Sequence, residues 1–99
     1  MNAYNTQQAR TRYRVSWQEE YIIGMVNKES PLGTTAVLKI AENEEVMSPA
    51  TTHKYLTNVV AKKFVSEQVV KVDKRSVVFN LTEKGKKFLQ EIEDAYVRK

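Results

Sequence analysis

The stretch covering residues 48–64, SPATTHKYLTNVVAKKF, decides how the chain is read. Ser48 suits a helix N-cap, its hydroxyl taking up a free backbone NH, and Pro49 falls at the first helical position, where a missing NH costs nothing. Thr52, Tyr55, Leu56, Val59 and Lys63 recur at helical spacing as an inward stripe, leaving Ala50, Thr51, His53, Lys54, Thr57 and Asn58 outside it. That outward set is short, polar and cationic. It suits a DNA major groove, where small and hydroxyl side chains approach base edges closely and Lys neutralises phosphate. An ordinary capped amphipathic helix satisfies the same pattern, so the flanking segments have to arbitrate.

Downstream, Val65, Val69, Val70 and Val72, then Val77, Val78, Phe79 and Leu81, form two β-branched runs around Asp73, Lys74 and Arg75. This predicts a hairpin with a charged tip. A hairpin directly after a recognition helix is a wing, and Lys71, Lys74 and Arg75 would reach phosphate or the adjacent minor groove. Thr82 then caps a last helix carrying Phe88, Leu89, Ile92, Ala95 and Tyr96 at helical spacing.

Upstream, Ser16 and Glu19 make a capping box, followed by Trp17, Tyr21, Ile22, Met25 and Val26 on one helical face. Trp17 is expected to be a packing anchor, since it begins that stripe. A break at residues 30–33 precedes a short helix capped by Thr34 or Thr35 and closed near Asn43, which tolerates a left-handed backbone. Glu42, Glu44 and Glu45 follow without the ligand spacing of a calcium loop, and are expected in a solvated turn. The turn at residues 44–47 has the length expected within a helix-turn-helix.

Charge separates along the 99 residues. Up to residue 14 the charged residues are Arg10, Arg12 and Arg14; residues 15–47 carry −4 and residues 48–80 carry +4, within a total of +4. A polyanionic partner for the basic segments is the implied reading. Residues 1–14 are polar and bury little, so they read as a flexible basic arm whose arginines could touch DNA backbone or minor groove. Residues 15–99 form one domain.

The chain has no cysteine, which excludes disulfides and thiolate metal sites and favours a reducing cytoplasm, with nucleoid association if DNA is the partner. No apolar run is long enough to span a membrane. With a single histidine, no cysteine and no glycine-rich phosphate cradle, neither catalysis nor a cofactor is expected.

The order helix, helix, recognition helix, wing, helix resembles the winged-helix core of the MarR family of bacterial transcription regulators. The matching stretches are Met47-Ser48-Pro49-Ala50-Thr51-Thr52, Lys62-Lys63-Phe64-Val65, Asp73-Lys74-Arg75 and Leu81-Thr82-Glu83-Lys84-Gly85. The resemblance implies an α+β winged helix-turn-helix with three helices, a two-stranded wing and a C-terminal helix. It also implies that Asp73 braces the wing at residues 70–80, that Arg75 enters the minor groove or touches phosphate, and that Thr51, His53, Lys54 and Asn58 lie along the major groove. The chain departs from the family pattern at Lys63, where members usually carry glycine, and it is shorter than members that dimerise through long terminal helices.

Double-stranded DNA is therefore the expected partner, with Ser48, Thr51, His53, Lys54, Thr57, Asn58, Lys71, Lys74, Arg75, Arg10, Arg12 and Arg14 as contact residues. A homodimer through the first and last helices would suit a palindromic site. The alternative is a winged helix that contacts transcription or replication proteins through its acidic first half.

Overall fold

The computed structural model describes residues 3–69 and 77–97. Five helices, α1 (Ala3–Tyr13), α2 (Trp17–Glu29), α3 (Thr34–Asn43), α4 (Pro49–Ala61) and α5 (Glu83–Val97), enclose a core, with strands β1 (Leu32–Gly33), β2 (Val65–Val69) and β3 (Val77–Leu81) at one side. The sheet is antiparallel in the order β1-β3-β2. Val65 pairs with Leu81 and Val69 with Val77, while Leu32 pairs with Phe79.

The core follows from the periodic stripes. Ile22, Ile23 and Val26 of α2, Val37 and Ala41 of α3, and Leu56 and Val59 of α4 are buried, as are Phe64, Phe79 and Phe88. Tyr13, Phe64 and Phe88 make an aromatic cluster with centroids 5.3–6.0 Å apart, in tilted and edge-on geometries favourable to aromatic pairs. This cluster joins α1, the exit of α4 and α5.

The expected flexible arm is instead mostly helix. Within α1, Ala9 is buried and Tyr13 packs on Phe88. Arg10 binds both carboxylate oxygens of Glu20, at 2.5 and 3.2 Å, while Arg12 and the Tyr13 hydroxyl both donate to Glu91 of α5. A polar sequence becomes ordered because its partners are supplied by distant helices.

Trp17 also departs from expectation. It is 58% exposed and lies on an open groove of about 1050 Å³, whose walls include Arg14, Tyr21 and Met25. The apolar face of α2 turns Ile22, Ile23 and Val26 inward instead, and Trp17 at the first turn falls outside it. The break at residues 30–33 contributes β1, so the sheet has three strands rather than two. α3 is capped by Gly33 with no side-chain hydrogen bond, rather than by Thr34 or Thr35.

Three helices end alike without glycine. After α1, Val15 N donates to Arg10 O at 2.9 Å and Arg14 N to Thr11 O at 3.2 Å. Val46 N to Ala41 O and Glu45 N to Glu42 O repeat the pattern after α3, and Phe64 N to Val59 O and Lys63 N to Val60 O repeat it after α4. This paired arrangement is a Schellman closure. The residues forced into the left-handed region are Arg14 (φ 59°), Glu45 (φ 58°) and Lys63 (φ 71°). Closure thus falls on Glu45, two residues after the expected Asn43. Lys63, expected on the inward stripe, is exposed beyond the helix end.

A left-handed conformation costs a non-glycine residue about 1–2 kcal/mol, partly offset by the extra freedom glycine has when unfolded. Lys63→Gly is therefore expected to stabilise the domain by about 0.5–1 kcal/mol, read as a raised urea midpoint with unchanged slope. An unchanged or lowered midpoint would show that the lysine is not strained there.

Candidate nucleic-acid interface

The candidate face is built on α4. Ser48 Oγ accepts from Thr51 N at 3.3 Å, Pro49 occupies the first turn, and Thr52 Oγ1 donates to Ser48 O at 2.8 Å. Thr52, Leu56 and Val59 are buried, which fixes the rotation of the helix about its axis. Pro49, Ala50, Thr51, His53, Lys54 and Thr57 consequently face solvent, with Asn58 half-buried at the margin. The turn before α4 is held by Val46 N and Met47 N, which both donate to Ala41 O, at 3.0 and 3.5 Å. That anchors the entry of α4 to the end of α3.

The exposed face is convex. The large groove lies elsewhere, along α1 and α2. Among the described residues no group of three His, Asp or Glu side chains could hold a metal. The described residues also include no helix long and apolar enough to cross a membrane.

Hydroxyl groups on this face are largely committed within the helix. Thr51 Oγ1 accepts from Ser48 Oγ at 3.0 Å, and Thr57 Oγ1 donates to His53 O at 3.0 Å. Lys54 is exposed, its Nζ lying 5.5 Å from the Tyr55 ring centroid.

The sequence-derived contact residues separate into three groups. Ser48, Thr51, His53, Lys54, Thr57 and Asn58 lie together on α4. Lys71, Lys74 and Arg75, with Asp73, fall outside the described residues; β2 and β3 leading to them are antiparallel partners, as a wing requires. Arg10 and Arg12 face Glu20 and Glu91, and Arg14 is exposed at the end of α1.

Lys62, which is not among the sequence-derived contact residues, makes a pairing that the sequence did not announce. Its Nζ lies 2.7 Å from Glu19 Oε2 and donates to Arg14 O at 2.7 Å. Glu19 is 3% exposed; its Oε1 accepts from Ser16 N and Ser16 Oγ, while Oε2 has no aligned hydrogen-bond donor and is balanced by the Lys62 charge. Burial pushes the Glu19 carboxyl up, but Lys62 and Ser16 together hold it below the usual carboxylate range. This pair ties the exit of α4 to the junction of α1 and α2. Only the capping box left a local signal; the lysine partner is remote in sequence.

Helix, turn, recognition-type helix and β-hairpin in this order define a winged helix-turn-helix. The fold is that of the MarR-type regulators. The chain superposes on S. aureus MepR, in a structure described as a MepR-DNA complex, with a TM-score of 0.77 at 18% identity, over 94% of this chain and 73% of that one. It superposes on the transcriptional regulator Tm0710 of Thermotoga maritima with a TM-score of 0.75 at 12% identity, over 93% and 62%. For a MarR transcriptional regulator from Methanosarcina mazei Go1 the TM-score is 0.70 at 18% identity, over 94% and 64%. The chain thus spans less than two thirds of the last two proteins. No protein-family model and no curated protein matches its sequence.

Proposed function

We propose that the chain is a double-stranded DNA-binding transcription regulator, with α4 in the major groove and the turn between β2 and β3 on the backbone or minor groove. The observation that carries this reading is the outward face of α4, which sets Lys54, His53 and Asn58 beside small side chains on a rigid helix whose opposite face is core. A solved structure of S. aureus MepR, described as bound to an oligodeoxyribonucleotide, shares the fold at a TM-score of 0.75 and 18% identity. Arg10 and Arg12 are engaged with Glu20 and Glu91, so α4, the wing and the exposed Arg14 carry most of the electrostatic contact. A homodimer through the terminal helices would present two copies of α4 to half-sites about 34 Å apart.

The test is titration of a labelled duplex at several salt concentrations. The log of affinity is expected to fall linearly with the log of salt, with a slope near the low end of about 3 to 6 phosphate contacts per chain. Lys54→Ala with Arg75→Ala is expected to reduce that slope by about 2 while leaving the circular dichroism spectrum intact. Structured RNA should bind more weakly, because its deep, narrow major groove does not admit a helix. A flat salt response would reject the reading. Loss of binding to a transcription or replication protein, with no change toward DNA, would favour protein contact instead.

A further inference from the structure

We infer that α4 reads thymine methyl groups, with Thr57 as the specificity-determining residue. The inference rests on the DNA-binding reading above and deepens it. Three threonines lie on α4, and each hydroxyl oxygen already has a partner within the helix or its cap. Thr52 Oγ1 donates to Ser48 O, Thr51 Oγ1 accepts from Ser48 Oγ, and Thr57 Oγ1 donates to His53 O. Thr52 is buried, whereas Thr51 and Thr57 are exposed.

Turning Oγ1 back onto the carbonyl one turn earlier directs the threonine oxygen along the helix and leaves its methyl as the outward group. Thr57 lies on the side of α4 away from buried Thr52 and Val59, one helical face with exposed Ala50 and Lys54. At this part of the face the surface presented to a base edge is therefore methyl rather than hydroxyl. Polar readout is left to His53, Lys54 and Asn58 at its sides. Among base edges in the major groove, the C5 methyl of thymine is the apolar feature that a threonine methyl or an alanine recognises.

The experiment first selects the best-bound duplex from a random-sequence pool, then replaces each thymine in turn by deoxyuridine, which removes the C5 methyl and keeps the base pair. Wild type is expected to bind about 4-fold more weakly when one contacted methyl is removed, the effect of losing one buried methyl-sized group. In Thr57→Ser that discrimination between thymine and uracil disappears at one position. In Thr57→Val, which keeps a methyl and lacks the hydroxyl, it persists. Equal wild-type affinity for thymine and uracil duplexes at every position would overturn the inference, as would its loss in Thr57→Val. If binding weakens with salt but ignores the uracil substitution, methyl readout alone fails. If no duplex binds in a salt-dependent manner, the DNA-binding reading fails as well.

Discussion

Replacing Gly85 by alanine is expected to destabilise the domain by about 2–3 kcal/mol, although alanine is the better helix former by about 1 kcal/mol. Gly85 lies in the first turn of α5, where its N–H donates to Thr82 Oγ1 at 3.1 Å. A Cβ there would stand 2.3 Å from Phe64 O and 2.9 Å from Leu81 Cδ1. The carbonyl cannot step aside, because it also accepts from Thr82 N at 3.1 Å and Thr82 Oγ1 at 2.9 Å. The clash must move α5 away from the exit of α4, opening the contact of Phe64 with Phe88. Thermal unfolding should shift down by about 10–20 °C for a domain of this size. Gly24→Ala is the control. Nothing lies within 4 Å of a Cβ built there, so that change is expected to stabilise by about 1 kcal/mol. A neutral Gly85→Ala would show that α5 is not seated against that carbonyl.

Lys62→Met is expected to cost about 3 kcal/mol at pH 7. Removing one partner of a buried ion pair typically costs about 3–5 kcal/mol, because the other charge stays buried without compensation. The lower end applies here, since the Lys62 side chain is 38% exposed while that of Glu19 is 3% exposed. The pH dependence identifies the cause. In the native protein the folded Glu19 carboxyl lies below its ordinary value, so its contribution is present above the unfolded pKa and lost as pH falls through the lower folded one. Without Lys62, burial prevails and the folded carboxyl shifts upward. Its contribution then favours folding below the unfolded pKa and disappears as pH rises. The difference between wild type and Lys62→Met should therefore shrink between pH 7 and pH 4. Urea unfolding at both pH values reads it, and an equal difference at the two would sink the explanation. Glu19→Gln combined with Lys62→Met should recover much of the loss, because the buried charge is then gone.

Much of the fold was legible in the sequence where the rules are local. The capping box of Ser16 and Glu19, the Ser48 and Pro49 start of α4, and the Thr82 cap of α5 each satisfy backbone groups within a few residues of themselves. The β-branched runs pair as expected, Val65 with Leu81 and Val69 with Val77. α1 was not legible. Its helix rests on Glu20, Glu91 and Phe88, and no pattern within its own residues announces partners in other helices. The helix ends were misplaced for a different reason. A glycine rule looks for glycine, whereas Arg14, Glu45 and Lys63 take the left-handed conformation at a cost that packing of the following segment offsets. Tyr21 shows the same reach: its hydroxyl donates to Glu44, and burial with that carboxylate pushes it up to about 12.

By itself, then, the amino-acid order determined the succession of helices and hairpin and which side of α4 faces outward, because a 3.6-residue or two-residue repeat is a property of the chain alone. Tertiary structure decided what that outward side offers. Only the folded chain draws Arg10 and Arg12 into pairs with Glu20 and Glu91, turns Lys62 onto Glu19, and shows the hydroxyls of α4 engaged within their own helix. A side chain's partner is chosen by proximity in space, and proximity between remote segments exists only once the core has closed.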